Sequence, residues 1–144
     1  MKPIPFPYAL NIGTDIVHIP RIARLVRRGD YLTRFTRRIL SDQEQHDFRT
    51  RFIAVDQRHL PSPFPITADM TRWLAGRFAA KEAARKAAPG GAASLGWKDV
   101  LVRVGHGEAK GRPEVVYAGE EGQIGKLSIS HDGEYVVATV LAAG

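Results

Sequence analysis

Apolar positions recur at helical spacing in the first half of the chain and at alternating spacing in the second. Ile22, Leu25 and Val26 form an apolar stripe just after Pro20, and proline is tolerated in a first helical turn. A helix therefore opens at Ile19-Pro20-Arg21 and closes at Gly29. Arg21, Arg24 and Arg28, at i, i+3 and i+7, share its exposed face. Ser41-Asp42-Gln43-Glu44 has the form of a capping box, which predicts a second helix from about Asp42 to Phe52. Between Ala54 and Asp69 the periodicity breaks and Pro61, Pro63 and Pro65 alternate, the signature of a loop. Arg77 to Ala87, rich in Ala, Arg, Lys and Glu without a β-branched residue, reads as a helix that stops near Pro89-Gly90-Gly91.

Period-two patterning marks the strands. Asn11 to Val17 is one; Val100, Val102 and Val104 define another. A turn-rich loop from Gly105 to Pro113 precedes short strands over Glu114–Tyr117 and Lys126–Ser130. Asp132-Gly133 then signals a hairpin into the apolar run Tyr135–Leu141. Helices come first and strands cluster late, so the prediction is a single α+β domain over residues 11–144, its first strand joining a C-terminal antiparallel set. Residues 1–10 are expected to form a flexible segment.

Composition narrows the chemistry. Cysteine is absent from the 144 residues, which excludes disulfides and thiolate metal sites. No apolar run is long enough to span a bilayer, and Met1 to Pro7 carries one charge and three prolines, unlike a signal or transit peptide. The expectation is an intracellular protein. Net charge is +6, and the stretch from His18 to Leu40 accounts for all of it, with Arg21, Arg24, Arg27, Arg28, Arg34, Arg37 and Arg38 against Asp30. Such a patch steers acidic partners to one surface. In the helix from Arg77, a lone carboxylate, Glu82, sits among Arg77, Lys81, Arg85 and Lys86. A carboxylate able to hold a hard cation among ammonium and guanidinium groups suits a polyphosphate; the plainer alternative is a solvated helix with a Glu82–Lys86 ion pair.

Three segments settle the comparison: Ile12-Gly13-Thr14-Asp15-Ile16-Val17 followed by Pro20-Arg21-Ile22; Arg77-Phe78-Ala79-Ala80-Lys81-Glu82-Ala83; and Leu127-Ser128-Ile129-Ser130-His131. In this order they resemble the holo-acyl-carrier-protein synthase family of 4′-phosphopantetheinyl transferases, from Asn11 to the end of the chain. The resemblance implies transfer of phosphopantetheine from coenzyme A to a serine of an acidic apo-acyl carrier protein, releasing 3′,5′-ADP and supporting fatty acid biosynthesis. It implies a Mg2+ ion, or Mn2+, held by Asp15 and Glu82, with either a bound water or Glu82 taking the serine proton. Lys86 corresponds to a lysine on the coenzyme A phosphates, making Asp15, Glu82 and Lys86 the catalytic set. Arg77 and His131 correspond to positions near the 3′-phosphate, and Gly111-Arg112-Pro113 to a short loop beside the adenine, with Arg112 replacing the usual lysine. Gly90 and Gly91 offer backbone N–H groups to a phosphate or simply cap the helix. Ser128 and Ser130 read as strand positions. Arg21, Arg24 and Arg28 would receive the carrier protein's recognition helix.

The family also implies a homotrimer with each site shared between neighbours. Two departures stand out: the Ala54–Asp69 loop is longer and richer in proline than in compact bacterial members, and the stretch from Tyr117 to Lys126 is short. The long loop points to a eukaryotic, fungal mitochondrial version; otherwise the compartment is the cytoplasm. Competing readings are a basic nucleic-acid-binding module and a catalytically inactive coenzyme A scaffold. Aromatics are not interleaved with the basic residues on a strand platform, which argues against the first, and intact carboxylates at positions 15 and 82 argue against the second. Neither nucleic acid nor membrane is an expected partner.

Overall fold

Strand β1 (Leu10–His18) pairs along its full length with the last strand, β5 (Tyr135–Ala143), antiparallel and in the register Asp15↔Ala138 and Ile16↔Val137. In this computed structural model, which describes residues 1–53, 65–106, 110–119 and 122–144, the two ends of the chain thus meet in one sheet. Strands β2 (Val100–Val104), β3 (Pro113–Tyr117) and β4 (Ile124–Asp132) complete it in the order β1-β5-β4-β3-β2, with antiparallel pairing throughout. The strands extend the sequence-predicted ranges by a residue or more at their ends, because each added residue finds a ladder partner. Leu10 in particular belongs to β1 rather than to the N-terminal segment.

Helix α1 (Ile19–Val26) follows β1 without a loop. It stops at Val26, before Gly29, whose φ of 49° lies in the turn beyond. Arg28 therefore sits past the helix rather than on its face, although it is exposed. Helix α2 (Tyr31–Ile39), to which the sequence pattern assigned no element, buries Leu32, Phe35, Thr36 and Ile39. Its two threonines and run of arginines blur the apolar stripe. Helix α3 (Asp42–Phe52) has the predicted bounds and both halves of its capping box, Ser41 Oγ accepting from the Glu44 N–H and Glu44 Oε1 from the Ser41 N–H. The loop expected over Ala54–Asp69 lies largely outside the described residues, and the next helix begins before its predicted end. Thr67 caps helix α4 (Ala68–Ala87), so the segment around Glu82 is the second half of a 20-residue helix.

Helix α4 lies across the inner face of the sheet. Ala75, Gly76, Ala79, Ala80, Ala83, Ala84 and Ala87 are all buried, and this small-residue face lets the helix approach β1 and β5 closely. An aromatic layer attaches α2 and α3 to it: Phe78 stacks between Phe35 and Trp97, while Trp73 packs against Phe48 and Phe52. Two short 3-10 turns, Ala92–Ser94 and Trp97–Asp99, lead into β2. The outer face of the sheet is uncovered, and Ile12, Ile16, Val137 and Leu141 stand exposed on it. Among the described residues no helix is long and apolar enough to cross a membrane.

Candidate active site

Gly13 brings β1 onto α4. A Cβ at this position would run into the Ala83 carbonyl oxygen and lie 2.8 Å from the Ala87 amide nitrogen, so only glycine permits the approach. Two residues on, Asp15 faces the same helix. Its Oδ1 accepts a hydrogen bond from Lys86 Nζ at 3.1 Å, and Lys86 also donates to the Thr14 carbonyl at 3.0 Å. Glu82 lies one turn before Lys86 on the same helix, a spacing that sets side chains on neighbouring positions. The Glu82–Lys86 ion pair of the plainer alternative does not form: Lys86 is taken by Asp15, and Glu82 Oε1 pairs with Arg85 at 2.9 Å.

Asp15 and Glu82 are 17% and 21% exposed, part-buried at the margin of the helix. Their second oxygens, Asp15 Oδ2 and Glu82 Oε2, accept no hydrogen bond from the described residues. Arg85 is itself fixed by the carbonyls of Ala92 and Leu95 and by the Trp97 ring, 4.8 Å from its guanidinium carbon. No group of three acidic or imidazole side chains suited to a metal occurs among the described residues. Two carboxylates with free oxygens are nevertheless a donor set that suits magnesium, which completes its shell with water and phosphate.

Lys81, read from sequence as one of the cations flanking Glu82, points the other way. Its side chain is fully buried and its ammonium donates to Glu44 Oε1 at 2.6 Å, the Val100 carbonyl at 2.7 Å and the Trp97 carbonyl at 3.1 Å. Burial lowers its pKa, and the adjacent Glu44 carboxylate opposes that shift. Sequence reasoning saw Glu44 only as a helix cap; its second role depends on how α3 docks on α4.

Arg77 and His131 do come together. Both line a cavity of about 220 Å3 that also receives Arg51, Arg72 and Trp73. Arg77 stacks over Trp73 at 4.4 Å, and burial lowers its guanidinium pKa against the opposing pull of Glu44. Nine residues of helix separate Arg77 from Lys86, about 14 Å along the axis. Arg51 and Arg72 carry no motif signal, and only the convergence of α3, α4 and β4 reveals them. Gly111-Arg112-Pro113 leads into β3, which stands three positions from β1 in the sheet order. The Gly91 N–H is already used, donating to Ala88, which leaves it as part of the turn after α4. Ser128 and Ser130 are exposed strand positions in β4.

Arg21 and Arg24 are exposed on α1. Arg21 also borders a second cavity of about 250 Å3, with Arg38 on its rim and Leu25, Phe35, Phe78 and Trp97 on its walls. No pattern along the chain signals this apolar floor beneath the arginine patch, because its walls come from α1, α2, α4 and the turn before β2.

An antiparallel sheet crossed by one long helix, with a part-buried carboxylate on each, Asp15 held by Lys86 and Glu82 by Arg85, is an α+β arrangement. The family model described as the 4′-phosphopantetheinyl transferase superfamily matches residues 11–140. The chain is 67% identical to 4′-phosphopantetheinyl transferase B, mitochondrial, of Aspergillus fumigatus, with both chains covered completely. It is 37% identical to the holo-[acyl-carrier-protein] synthase of Gloeobacter violaceus, over 93% of this chain and 92% of that one. The crystal structure of a holo-(acyl-carrier-protein) synthase from Bacillus anthracis in complex with CoA (3′,5′-ADP) superposes with a TM-score of 0.64 at 30% identity, covering 93% of this chain and 96% of that one. The chain belongs to the 4′-phosphopantetheinyl transferase superfamily and is an enzyme of its holo-acyl-carrier-protein synthase type.

Proposed function

We propose that this enzyme transfers 4′-phosphopantetheine from coenzyme A to a serine of an acidic apo-acyl carrier protein, and so supports fatty acid biosynthesis. The observation that carries the reading is the grouping of Asp15, Glu82 and Lys86 where β1 meets α4. In the transfer, the serine oxygen forms a bond to the phosphorus bearing pantetheine, the pyrophosphate P–O bond breaks, and 3′,5′-ADP leaves with the electron pair. Asp15 and Glu82 would hold a magnesium ion, or manganese, which when bound neutralises charge on the pyrophosphate. Either a bound water or Glu82 would take the serine proton. Lys86 stabilises charge growing on the phosphate oxygens. Arg77 and His131, with Arg51 and with Arg72, which pairs with Asp69 at 3.3 Å, would form a cationic end for the 3′-phosphate.

The arginine rim and apolar floor at α1 suit an acidic helix carrying a few apolar side chains. The open outer face of the sheet, with Ile12 opposite Leu141 and Ile16 opposite Val137, fits a homotrimer in which a neighbour supplies Arg112 and Pro113 to the adenine end. A mitochondrial location follows the name of the Aspergillus fumigatus relative. The test is intact mass spectrometry of an apo carrier protein incubated with the enzyme, coenzyme A and magnesium. A gain of roughly 340 Da, absent with EDTA and absent for Asp15→Ala and Glu82→Ala, is expected. Normal transfer by either folded variant would sink the assignment.

A further inference from the structure

Helix α4 presents almost nothing but alanine and glycine to the sheet. Such a face permits close approach, but it has few large knobs to fix the helix's rotation or its position along its axis. What α4 does have is one fully buried ammonium. Lys81 spends its three protons on acceptors from two separate parts of the chain, Glu44 on α3 and the carbonyls of Trp97 and Val100 at the entry to β2. Glu44 is fixed in turn, since its Oε1 also accepts from the Ser41 N–H.

The contacts continue to the active site. Lys81 holds the backbone of Trp97; the Trp97 ring stacks with Phe78 and packs against the Arg85 guanidinium. Arg85 donates to Glu82 Oε1. We propose that Glu44 and Lys81 are positioning residues for the Glu82 carboxylate, acting through Trp97 and Arg85 without touching substrate. The proposal rests on the reading that Glu82 holds metal. A buried ion pair of this kind adds little net stability over an apolar pair of the same volume, but it selects one arrangement of the elements that it joins. The same pair keeps α3, and Arg51 at its end, in register with Arg77.

The test uses the full chain with Mn2+ as the probe. The double variant Glu44→Leu/Lys81→Met removes both charges of the pair together, and Arg77, 4.0 Å from Glu44, keeps its stacking on Trp73, so it is expected to fold, with a thermal midpoint within about 5 °C of wild type. Mn2+ binding in the presence of coenzyme A, read by electron paramagnetic resonance, should weaken about tenfold, as for other groups that orient a metal ligand. In the mass-spectrometric assay kcat should fall by about the same factor. A folded double variant with wild-type Mn2+ affinity and kcat overturns the proposal. If the double variant does not fold, Glu44→Gln decides, because it retains volume and the Oε1 acceptor and loses only the charge. Mn2+ binding weakened at least threefold supports the role, and unchanged binding overturns it. Wild-type protein that transfers nothing would instead overturn the functional reading, so the two failures are separable.

Discussion

Gly13 and Ala83 are in backbone contact: there is no room for a Cβ between the strand and the Ala83 carbonyl oxygen. This single close approach sets how far Asp15 stands from α4. Gly13→Ala must push the strand off the helix, at a cost of about 1–3 kcal/mol of stability. Urea unfolding should show that loss, and transfer activity should fall by more than the unfolded fraction explains, because Asp15 moves with the strand.

Lys86→Met separates chemistry from folding. The Lys86–Asp15 pair is 45% and 17% exposed, so its removal should change stability by no more than about 0.5–1 kcal/mol. Transfer should nevertheless drop about 100-fold, since a charge aimed at the reacting phosphate is lost. A variant with near-wild-type turnover would remove Lys86 from the reaction.

Tyr117 makes stability depend on alkaline pH. Its hydroxyl donates to the Ala84 carbonyl at 2.7 Å, near the end of α4 where carbonyls run out of helical donors. Burial pushes its pKa up from 10.0 to about 12. Because the folded value is the higher one, the stabilisation is complete below pH 10 and is lost as pH rises towards 12. Tyr117→Phe should cost about 1 kcal/mol at pH 7 and flatten the decline between those two pH values, as measured by denaturant unfolding.

Arg21→Glu/Arg24→Glu reverses the charge of the exposed α1 face. KM for the carrier protein should rise about tenfold or more at low salt, with KM for coenzyme A unchanged. Raising the ionic strength should narrow the gap between variant and wild type, as screening shortens the reach of these charges.

Ile16→Lys places a charge on the uncovered sheet face, where Ile16 is 62% exposed and pairs with Val137. On the proposed homotrimer, sedimentation velocity should report a trimer for the wild type and a monomer for the variant. Transfer should fall with it, since Arg112 of one copy would no longer reach the site of another. Trimeric sedimentation of the variant would place the interface elsewhere.

Local signals carried a large part of this fold. Ser41 and Glu44 announce α3 because a capping box lies within four residues of sequence, and Asp132-Gly133 announces the β4–β5 hairpin because the turn determines its own register. Asp15, Glu82, Lys86 and His131 were picked out through motif resemblance; in the structure Lys86 contacts Asp15, and His131 lines the same cavity as Arg77. Helix α2 was missed because its arginines and threonines interrupt the apolar stripe.

What the sequence determined by itself, then, was the order and type of most elements and the residues able to bind an anion or a hard cation, since helical period, strand alternation and charge are properties of neighbours along the chain. Only the tertiary structure decided which partner each charge takes. Lys81 and Lys86 stand five residues apart on one helix and look alike in sequence. One is sealed against Glu44 and the other borders Asp15, because 3.6 residues per turn point them to different neighbours that arrive from distant parts of the chain.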